Sequence, residues 1–365
     1  MNVFVCGTIF QVITAINITV TSLKEDTDLI LTDSTDFSNI ENTLKELRIF
    51  RKIYHMKDDA TKKDYWTMNE QQRKHLSKNP AKGIDPISLD EVYEHLYLPS
   101  LSAYNKLFYY YLIKIGMKLK VHLYEEGITT YVIDVMENLQ KDGMLHRYYG
   151  RQALVKNMVE IMLYEPELYS VPSLGEIVTS IPKLSEENRE LSVIYKRIFG
   201  ECSLPSEKYI FLEEAFVKDG ILSMDIELVE ELASVVGKEN MVIKLHPRNP
   251  VDRFSMRGFT LFPNSRIPWE IILLTNDLRD KVLVTVSSSS SITAKLILNK
   301  PMYAIQLYSM MYIGRAQHIK QKAFQNYYTK LYEVLNREEK CFYTPDTKEE
   351  LHQIIQYLDS GLIRL

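Results

Sequence analysis

Two adjacent carboxylates, Glu125 and Glu126, precede Gly127 in the segment LYEEGITTY, residues 123–131. Ligands of open α/β sheets bind beyond the carboxyl ends of strands, so a reactive group is expected at such a position. Successive residues of an extended segment point to opposite sides, and only one of the two glutamates can therefore face a ligand. A partly desolvated carboxylate beside a like charge is a better base. An exposed acidic turn is the alternative interpretation.

A histidine directly follows an apolar strand pattern in VIKLHPR, residues 242–248. Pro247 fixes its own φ angle and favours an extended conformation at His246, so the imidazole is rigidly placed at the carboxyl end of the strand. An imidazole at this place can bind or protonate a leaving phosphate. Lys244 and Arg248 add positive charge nearby. A strand-end histidine that bonds only to the backbone is the alternative.

Five consecutive serines, Ser287–Ser291, separate an apolar strand pattern from a helical one in VLVTVSSSSSITAK, residues 282–295. Free backbone amides at a helix N-terminus favour anions, and serine hydroxyls add further donors. The run therefore predicts a phosphate site that lacks the glycines and lysine of a P-loop. A helix N-cap with surplus serines is the alternative, and one serine could serve both roles.

The segment RIPWE, residues 266–270, places Pro268 in the first turn of a helix. Glu270 can accept hydrogen bonds from a ribose diol, as acidic residues do in nucleotide sites. No DxD triplet for a nucleotide-bound metal occurs, and the nearest pattern, DIE at 225–227, is typical of an acidic first helical turn. The histidines and cysteines show no metal-ligand spacing, so we expect neither a metal nor a resident cofactor.

Strand and helix patterns alternate along the chain in two series, which indicates an α/β protein with parallel sheets. We predict two Rossmann-like domains that face each other across a cleft. The first domain covers residues 1–200 and carries the acidic pair, the second covers 207–346, and a C-terminal helix covers 347–365.

Composition excludes several classes of protein. A chain of 365 residues suits two domains, and a net charge of −4 argues against a general nucleic-acid binder. Three widely spaced cysteines form no disulfide framework, so the reducing cytoplasm is the expected location. The N-terminus lacks a basic region and a cleavage site, and no apolar stretch has the length of a membrane span.

The order of these motifs resembles that of the bacterial sialyltransferases. The opening FVCGTIFQV and the segment IPWE are most similar to the lipooligosaccharide and capsule branch, glycosyltransferase family 52. The resemblance implies a GT-B architecture with an acceptor-side first domain and a nucleotide-sugar-binding second domain. It implies inverting transfer of sialic acid from CMP-N-acetylneuraminic acid to a hydroxyl of a surface glycan, such as a galactoside. No metal is implied, because CMP leaves with a single phosphate.

The resemblance also assigns roles by position. The general base falls on Glu126, with Glu125 as the alternative, and contact with the leaving phosphate falls on His246. Glu270 would hold the ribose. Other residues expected to bind the donor are Lys244, Pro247, Arg248 and one or more of Ser288, Ser289 and Ser290. Further candidate site residues are Thr8 and Gln11 of the opening segment and Asp219 in FVKDG, where relatives can place a reactive acid.

Two alternatives remain open at this stage. One is a relative of the same fold that uses another nucleotide sugar, and the other is a non-catalytic glycan-assembly protein that kept the fold. The expected partners are a nucleotide sugar and a glycan acceptor. The helix pattern over Tyr312 to Leu335 could touch the inner membrane face, or it could be an amphipathic helix packed on its own domain. Relatives suggest a homodimer.

Overall fold

The computed structural model divides the chain into two compact units, Met1–Pro182 and Lys183–Leu365, and each is described by itself. The residues that the structure describes are 1–57, 68–82, 89, 91–132, 149–171, 177–218, 224–249, 251–263, 266–310 and 322–361.

The first unit contains a seven-stranded parallel sheet in the order β3-β2-β1-β4-β5-β6-β7. Its strands are β1 (Asn2–Cys6), β2 (Thr27–Thr32), β3 (Ile53–Met56), β4 (His95–Leu98), β5 (Lys120–Tyr124), β6 (Met158–Leu163) and β7 (Val178–Ser180). Its described α-helices are α1 (Ile9–Ser22), α2 (Ser38–Leu47), α3 (Glu70–Lys78), α4 (Ala103–Lys114), α5 (Ile128–Val132) and α6 (Leu154–Asn157). The first six strands follow the Rossmann order 3-2-1-4-5-6.

The second unit contains a six-stranded parallel sheet in the order β10-β9-β8-β11-β12-β13, which is again the Rossmann order. Its strands are β8 (Tyr209–Leu212), β9 (Met241–Lys244), β10 (Thr260–Leu261), β11 (Val282–Thr285), β12 (Tyr303–Gln306) and β13 (Phe342–Tyr343). Its described α-helices are α7 (Arg189–Phe199), α8 (Asp225–Val236), α9 (Trp269–Thr275), α10 (Thr293–Leu298), α11 (Lys322–Leu335) and α12 (Lys348–Gly361).

Burial on both faces explains why the central strands are rich in apolar residues. Every residue of β1, β2, β8 and β11 is buried. Parallel strands covered by helices on both sides have this composition rather than an alternating one. The prediction of an α/β protein with two Rossmann-like units and parallel sheets is therefore confirmed. The cleft between them stays a prediction.

The first and last helices of the second unit, α7 and α12, were assigned to other parts of the chain by the predicted domain bounds. Helix α7 contacts α9, so the structural division falls at Pro182–Lys183 rather than at residue 200. Helix α12 packs against α8 and buries Leu351, Ile355 and Leu358 in the core of the second unit. It is therefore an integral part of that unit.

The predicted helix over Tyr312 to Leu335 is described only from Lys322, and residues 311–321 lie outside the described part of the chain. Its contact with a membrane surface stays a prediction, as does the homodimer.

A chain of hydrogen bonds crosses four strands of the first sheet. His95 Nδ1 lies 2.8 Å from His122 Nε2, His122 Nδ1 lies 2.7 Å from Glu160 Oε1, and Thr179 Oγ1 donates to Glu160 Oε2 at 2.6 Å. The hydrogen bond from His122 lowers the pKa of Glu160. Because a carboxylate only accepts, His122 Nδ1 carries a proton, and in the neutral ring its Nε2 accepts from His95.

This chain of bonds makes stability depend on pH. Burial, followed by the proximity of His122 and Lys120, lowers the pKa of His95, so the folded state favours its neutral form. The corresponding stability is present above the unfolded pKa of histidine and is lost as the pH falls through the lower folded value. Glu160, whose pKa is also lowered, adds a loss of the same sign at more acidic pH.

We predict that His95→Asn reduces the loss of unfolding free energy between about pH 7 and about pH 5, because asparagine keeps a donor for His122 but does not titrate. At pH 7 its effect should stay near ~1 kcal/mol, the net contribution of one hydrogen bond. Urea unfolding at several pH values measures both quantities. The exposed His75→Asn is the control, and an unchanged pH dependence in His95→Asn would contradict the prediction.

Candidate active site

Glu125 is a buried residue that joins the ends of two neighbouring strands. Its peptide N–H donates to Met162 O at 3.0 Å, which extends the pairing of β5 with β6. Its side chain is 3% exposed, and Oε2 accepts the peptide N–H of Tyr164 at 2.7 Å and the hydroxyl of Tyr131 at 2.5 Å. The carboxylate of Glu125 therefore holds the backbone at the carboxyl edge of the sheet.

Glu126 is half-buried and is held by the first β–α turn of the chain. Gln11 Nε2 donates to Glu126 Oε2 at 3.0 Å, and Gln11 Oε1 accepts the peptide N–H of Gly7 at 2.6 Å. Because both ends of the amide are engaged, its orientation is fixed. Thr8 is the N-cap of α1 and accepts the peptide N–H of Gln11 at 3.2 Å. The structure thus brings three predicted site residues together in the first unit.

The same edge contains a buried thiol. The hydroxyl of Tyr124, the last residue of β5, donates to Val5 O at 2.7 Å and lies 3.3 Å from Cys6 Sγ. Burial raises the pKa of Cys6 to about 12. Cys6 therefore lies beside Tyr124 as an uncharged group.

His246 begins a turn that is fixed at several points. Its peptide N–H donates to Glu213 Oε2 at 2.9 Å, and its carbonyl accepts the peptide N–H of Asn249 at 3.0 Å. The peptide N–H of Arg248 donates to His246 Nδ1 at 3.2 Å. An N–H donated to Nδ1 places the proton of the neutral imidazole on Nε2. The exposed Pro247 lies within this turn.

The serine run does not begin with a free helix N-terminus. Ser289–Ser291 form a 3-10 turn, and the following helix α10 has only six residues. The peptide N–H groups of Ser287 and Ser288 donate to Glu214 Oε1 at 2.5 and 3.1 Å, and Ser287 Oγ donates to Glu214 Oε2 at 2.9 Å. The amides expected for a phosphate at these two positions therefore already bind a carboxylate.

The remaining serines are arranged around Ser288. Ser288 Oγ accepts the peptide N–H of Ser290 at 3.2 Å and lies 2.9 Å from Ser290 Oγ, so Ser288 caps the turn as the N-cap interpretation expects. Among the described residues, no hydrogen bond engages Ser289 Oγ, and Ser289 and Ser290 are both partly exposed. Ser290 Oγ donates to Ser288 Oγ, so Ser289 Oγ is the unengaged hydroxyl of the two.

The segment IPWE lies beside the serines and β9. Trp269 Nε1 donates to Ser290 O at 2.9 Å, and this bond fixes the serine turn against α9. Lys244 is 8% exposed, and its Nζ lies 5.5 Å from the centre of the Phe262 ring. Burial raises the pKa of Glu270 and lowers the pKa of Lys244, while the attraction between the two opposes both shifts. Lys244 and Glu270 therefore form an electrostatic pair in a poorly hydrated place.

A family model described as alpha-2,8-polysialyltransferase (POLYST) matches residues 2–305. The chain belongs to the alpha-2,8-polysialyltransferase family. The predicted relationship to the sialyltransferases, and thus to the glycosyltransferases, is confirmed at this level. Glu126, His246 and all five serines lie inside the matched residues of this polysialyltransferase-family chain.

Two solved structures are similar to this chain at low sequence identity. One is Phytolacca americana UGT2 complexed with UDP-2-fluoroglucose and pterostilbene, at 10% identity and a TM-score of 0.47, covering 99% of this chain and 91% of that chain. Another is an E. coli structure described as trehalose-6-phosphate bound with UDP-2-fluoroglucose, at 8% identity and a TM-score of 0.39, covering 100% and 99%. No curated protein matches.

Two important residues of this family member were missed by the sequence analysis. Glu213 and Glu214 directly follow β8 and bind the His246 turn and the serine run. The available signal was FLEE at 211–214, which repeats the pattern of LYEE at 123–126. The predicted acid Asp219 lies outside the described residues.

In the described part of the chain, no three or more His, Cys, Asp or Glu side chains form a group that could hold a metal ion. No described helix has the length and apolar character needed to cross a membrane.

We predict different effects of the two acidic residues on stability. Glu125→Ala leaves the buried donors of Tyr164 and Tyr131 without this acceptor, so it should lower the free energy of unfolding by about 1–3 kcal/mol. Glu126→Ala should cost less, because Glu126 is half-buried. Chemical unfolding of both variants tests the difference. A larger loss in Glu126→Ala than in Glu125→Ala would contradict the structural role given to Glu125.

Proposed function

We propose that the chain transfers sialic acid from CMP-N-acetylneuraminic acid to a hydroxyl of a terminal sialic acid on a glycan, with inversion. The family match over residues 2–305 carries this proposal, because it spans the acidic pair, the His-Pro turn and the serine run. The family description favours the 8-hydroxyl of sialic acid as the acceptor, in place of the galactoside hydroxyl that the sequence suggested. Placement in family 52 and a role in lipooligosaccharide or capsule assembly are finer proposals.

Glu126 is the proposed general base. Its carboxylate is partly exposed, and the bond from Gln11 fixes its orientation at the carboxyl edge of the first sheet. The acceptor oxygen attacks the anomeric carbon of the donor, and its proton passes to Glu126. Glu125 is less suited to this role, because its carboxylate is buried and accepts two protein donors.

His246 is the proposed partner of the leaving phosphate. The bond between the anomeric carbon and the phosphate oxygen breaks, and CMP gains negative charge. The tautomer fixed by Arg248 has its proton on Nε2, so the imidazole can donate to that oxygen. Such a donor stabilises the transition state more than the ground state, because the charge develops only as the bond breaks.

The serine hydroxyls and the Lys244–Glu270 pair complete the proposed donor site. Ser289 is the first proposed phosphate ligand, since Glu214 uses the amides of Ser287 and Ser288. Ser290 is the second, and its hydroxyl would turn from Ser288 Oγ to the phosphate. Lys244 would add positive charge, and Glu270 is the proposed acceptor for a ribose hydroxyl. A single phosphate carries less charge than a diphosphate, so we propose that no metal is needed.

We predict that Glu126→Gln and His246→Asn each lower kcat for transfer by about 10²-fold or more, because each removes a proton-transfer group. Radiolabelled or mass-spectrometric product analysis with CMP-sialic acid and an oligosialic acceptor measures the rate. The exposed Glu94→Gln and the partly exposed His352→Asn serve as matched controls. Wild-type turnover in a folded variant would refute the role of that residue.

We predict that CMP raises the melting temperature and that UDP does not, because only a ligand of the native state stabilises it. The double change Ser289→Ala and Ser290→Ala should weaken the CMP shift, and EDTA should leave transfer unchanged. A shift with UDP alone would favour the alternative of another nucleotide sugar. Binding of CMP without release of sialic acid to any acceptor would favour the non-catalytic alternative.

A further inference from the structure

Strand β8 lies at the topological switch point of the second sheet. Its neighbours are β9 on one side and β11 on the other, and these strands lead into the His246 turn and the serine run. The two residues that follow β8 are Glu213 and Glu214. Because successive residues of an extended segment point to opposite sides, their carboxylates can reach the two neighbouring loops.

We infer that Glu213 and Glu214 are positioning residues for the proposed transfer, one holding the backbone turn that carries the imidazole of His246 and the other holding the serine run. The inference deepens the proposed function, on which it rests. Two adjacent carboxylates thus align two loops, one that follows β9 and one that follows β11.

Glu213 binds the backbone of the His246 turn. Its side chain is fully buried, and Oε2 accepts the peptide N–H of His246 at 2.9 Å. Oε1 accepts Arg253 Nη2 at 2.7 Å, and the guanidinium of Arg253 also forms a bidentate pair with the buried Asp225. Each oxygen of Glu213 thus has its own donor, so the carboxylate cannot rotate without breaking one of the two bonds.

Glu214 holds the serine run in the same manner. Oε1 accepts two peptide N–H groups, Oε2 accepts a hydroxyl, and Thr285 Oγ1 lies 3.0 Å from Oε1. Its own carbonyl accepts Asn249 Nδ2 at 2.9 Å, which joins the serine side to the His246 turn. The two loops are therefore connected through the backbone of one dipeptide.

An amide is a poorer partner than either carboxylate. A carboxylate offers two acceptor oxygens, whereas glutamine offers one acceptor and one donor group. In Glu213→Gln, the NH₂ group would face a protein donor, and one bond would be lost. In Glu214→Gln, the NH₂ group could donate to Ser287 Oγ, but the charge that strengthens the bonds from the amides of Ser287 and Ser288 would be lost. The expected result is a displaced loop rather than a lost ligand contact, because neither carboxylate is assigned to the substrate.

The two variants should have different kinetic effects. Displacement of His246 affects bond cleavage, so Glu213→Gln should lower kcat by about 10- to 100-fold with little change in KM for CMP-sialic acid. Displacement of the serines affects the phosphate in the ground state as well, so Glu214→Gln should raise KM and the Kd for CMP about 10-fold. The exposed Glu239→Gln is the matched control in the same unit.

A spectroscopic measurement on the full chain tests the His246 part independently of turnover. Nitrogen NMR of ¹⁵N-histidine-labelled protein, with His246→Asn to assign the signal, should show the Nε2–H tautomer in the wild type and a mixture in Glu213→Gln. If Glu213→Gln does not fold, Arg253→Lys replaces it with the same expectation, since a lysine ammonium cannot keep both the bond to Glu213 Oε1 and the bidentate pair with Asp225.

The outcomes separate the inference from the proposed function. Equal changes of kcat and KM in both variants, or wild-type kinetics and nitrogen shifts in folded variants, would overturn the inference. If the wild-type chain neither transfers sialic acid nor binds CMP, the proposed function fails. In that case, the tautomer of His246 still shows whether Glu213 positions it.

Discussion

In both sheets, backbone N–H groups that follow a buried parallel strand need a hydrogen-bond acceptor. A buried N–H without an acceptor lowers the stability of the fold. Beyond the carboxyl end of the sheet, the neighbouring strand no longer provides a carbonyl to accept it. The chain solves this in both units with a glutamate. Glu125 accepts the N–H of Tyr164 after β6, and Glu213 accepts the N–H of His246 after β9. The next residue along the chain, Glu126 or Glu214, is then directed elsewhere.

This shared arrangement explains why similar sequence patterns have different roles. In the first unit, the second glutamate is partly exposed and is bound by a side-chain amide, so it remains accessible for chemistry. In the second unit, the second glutamate accepts two backbone amides of the serine run. Its negative charge beside those amides disfavours an anion there. A phosphate is better accommodated by the hydroxyls farther along the run.

Much of the fold follows from local sequence patterns. The apolar patterns that precede His246 and the serine run predicted strands where the structure has β9 and β11. The strands β6, β7, β10 and β13 were not predicted. Strand β7 has three residues and β10 and β13 have two each, too few for a pattern. The segment of β6, MVEIML, is mostly apolar, but a short apolar run alone does not distinguish a strand from a segment of a buried helix. Sequence spacing also could not show which N–H groups a glutamate would accept, so Glu213 and Glu214 were missed.

The burial of the Cys6 thiol beside Tyr124 has a practical consequence for chemical labelling. Thiol reagents attack the thiolate, and with a pKa of about 12 Cys6 stays protonated at neutral pH and is shielded from reagents. Cys341 is partly buried, and burial raises its pKa as well. Cys202 is partly exposed and interacts electrostatically with Lys244. A maleimide dye would therefore attach preferentially at Cys202, where it would report on changes around Lys244 and Glu270.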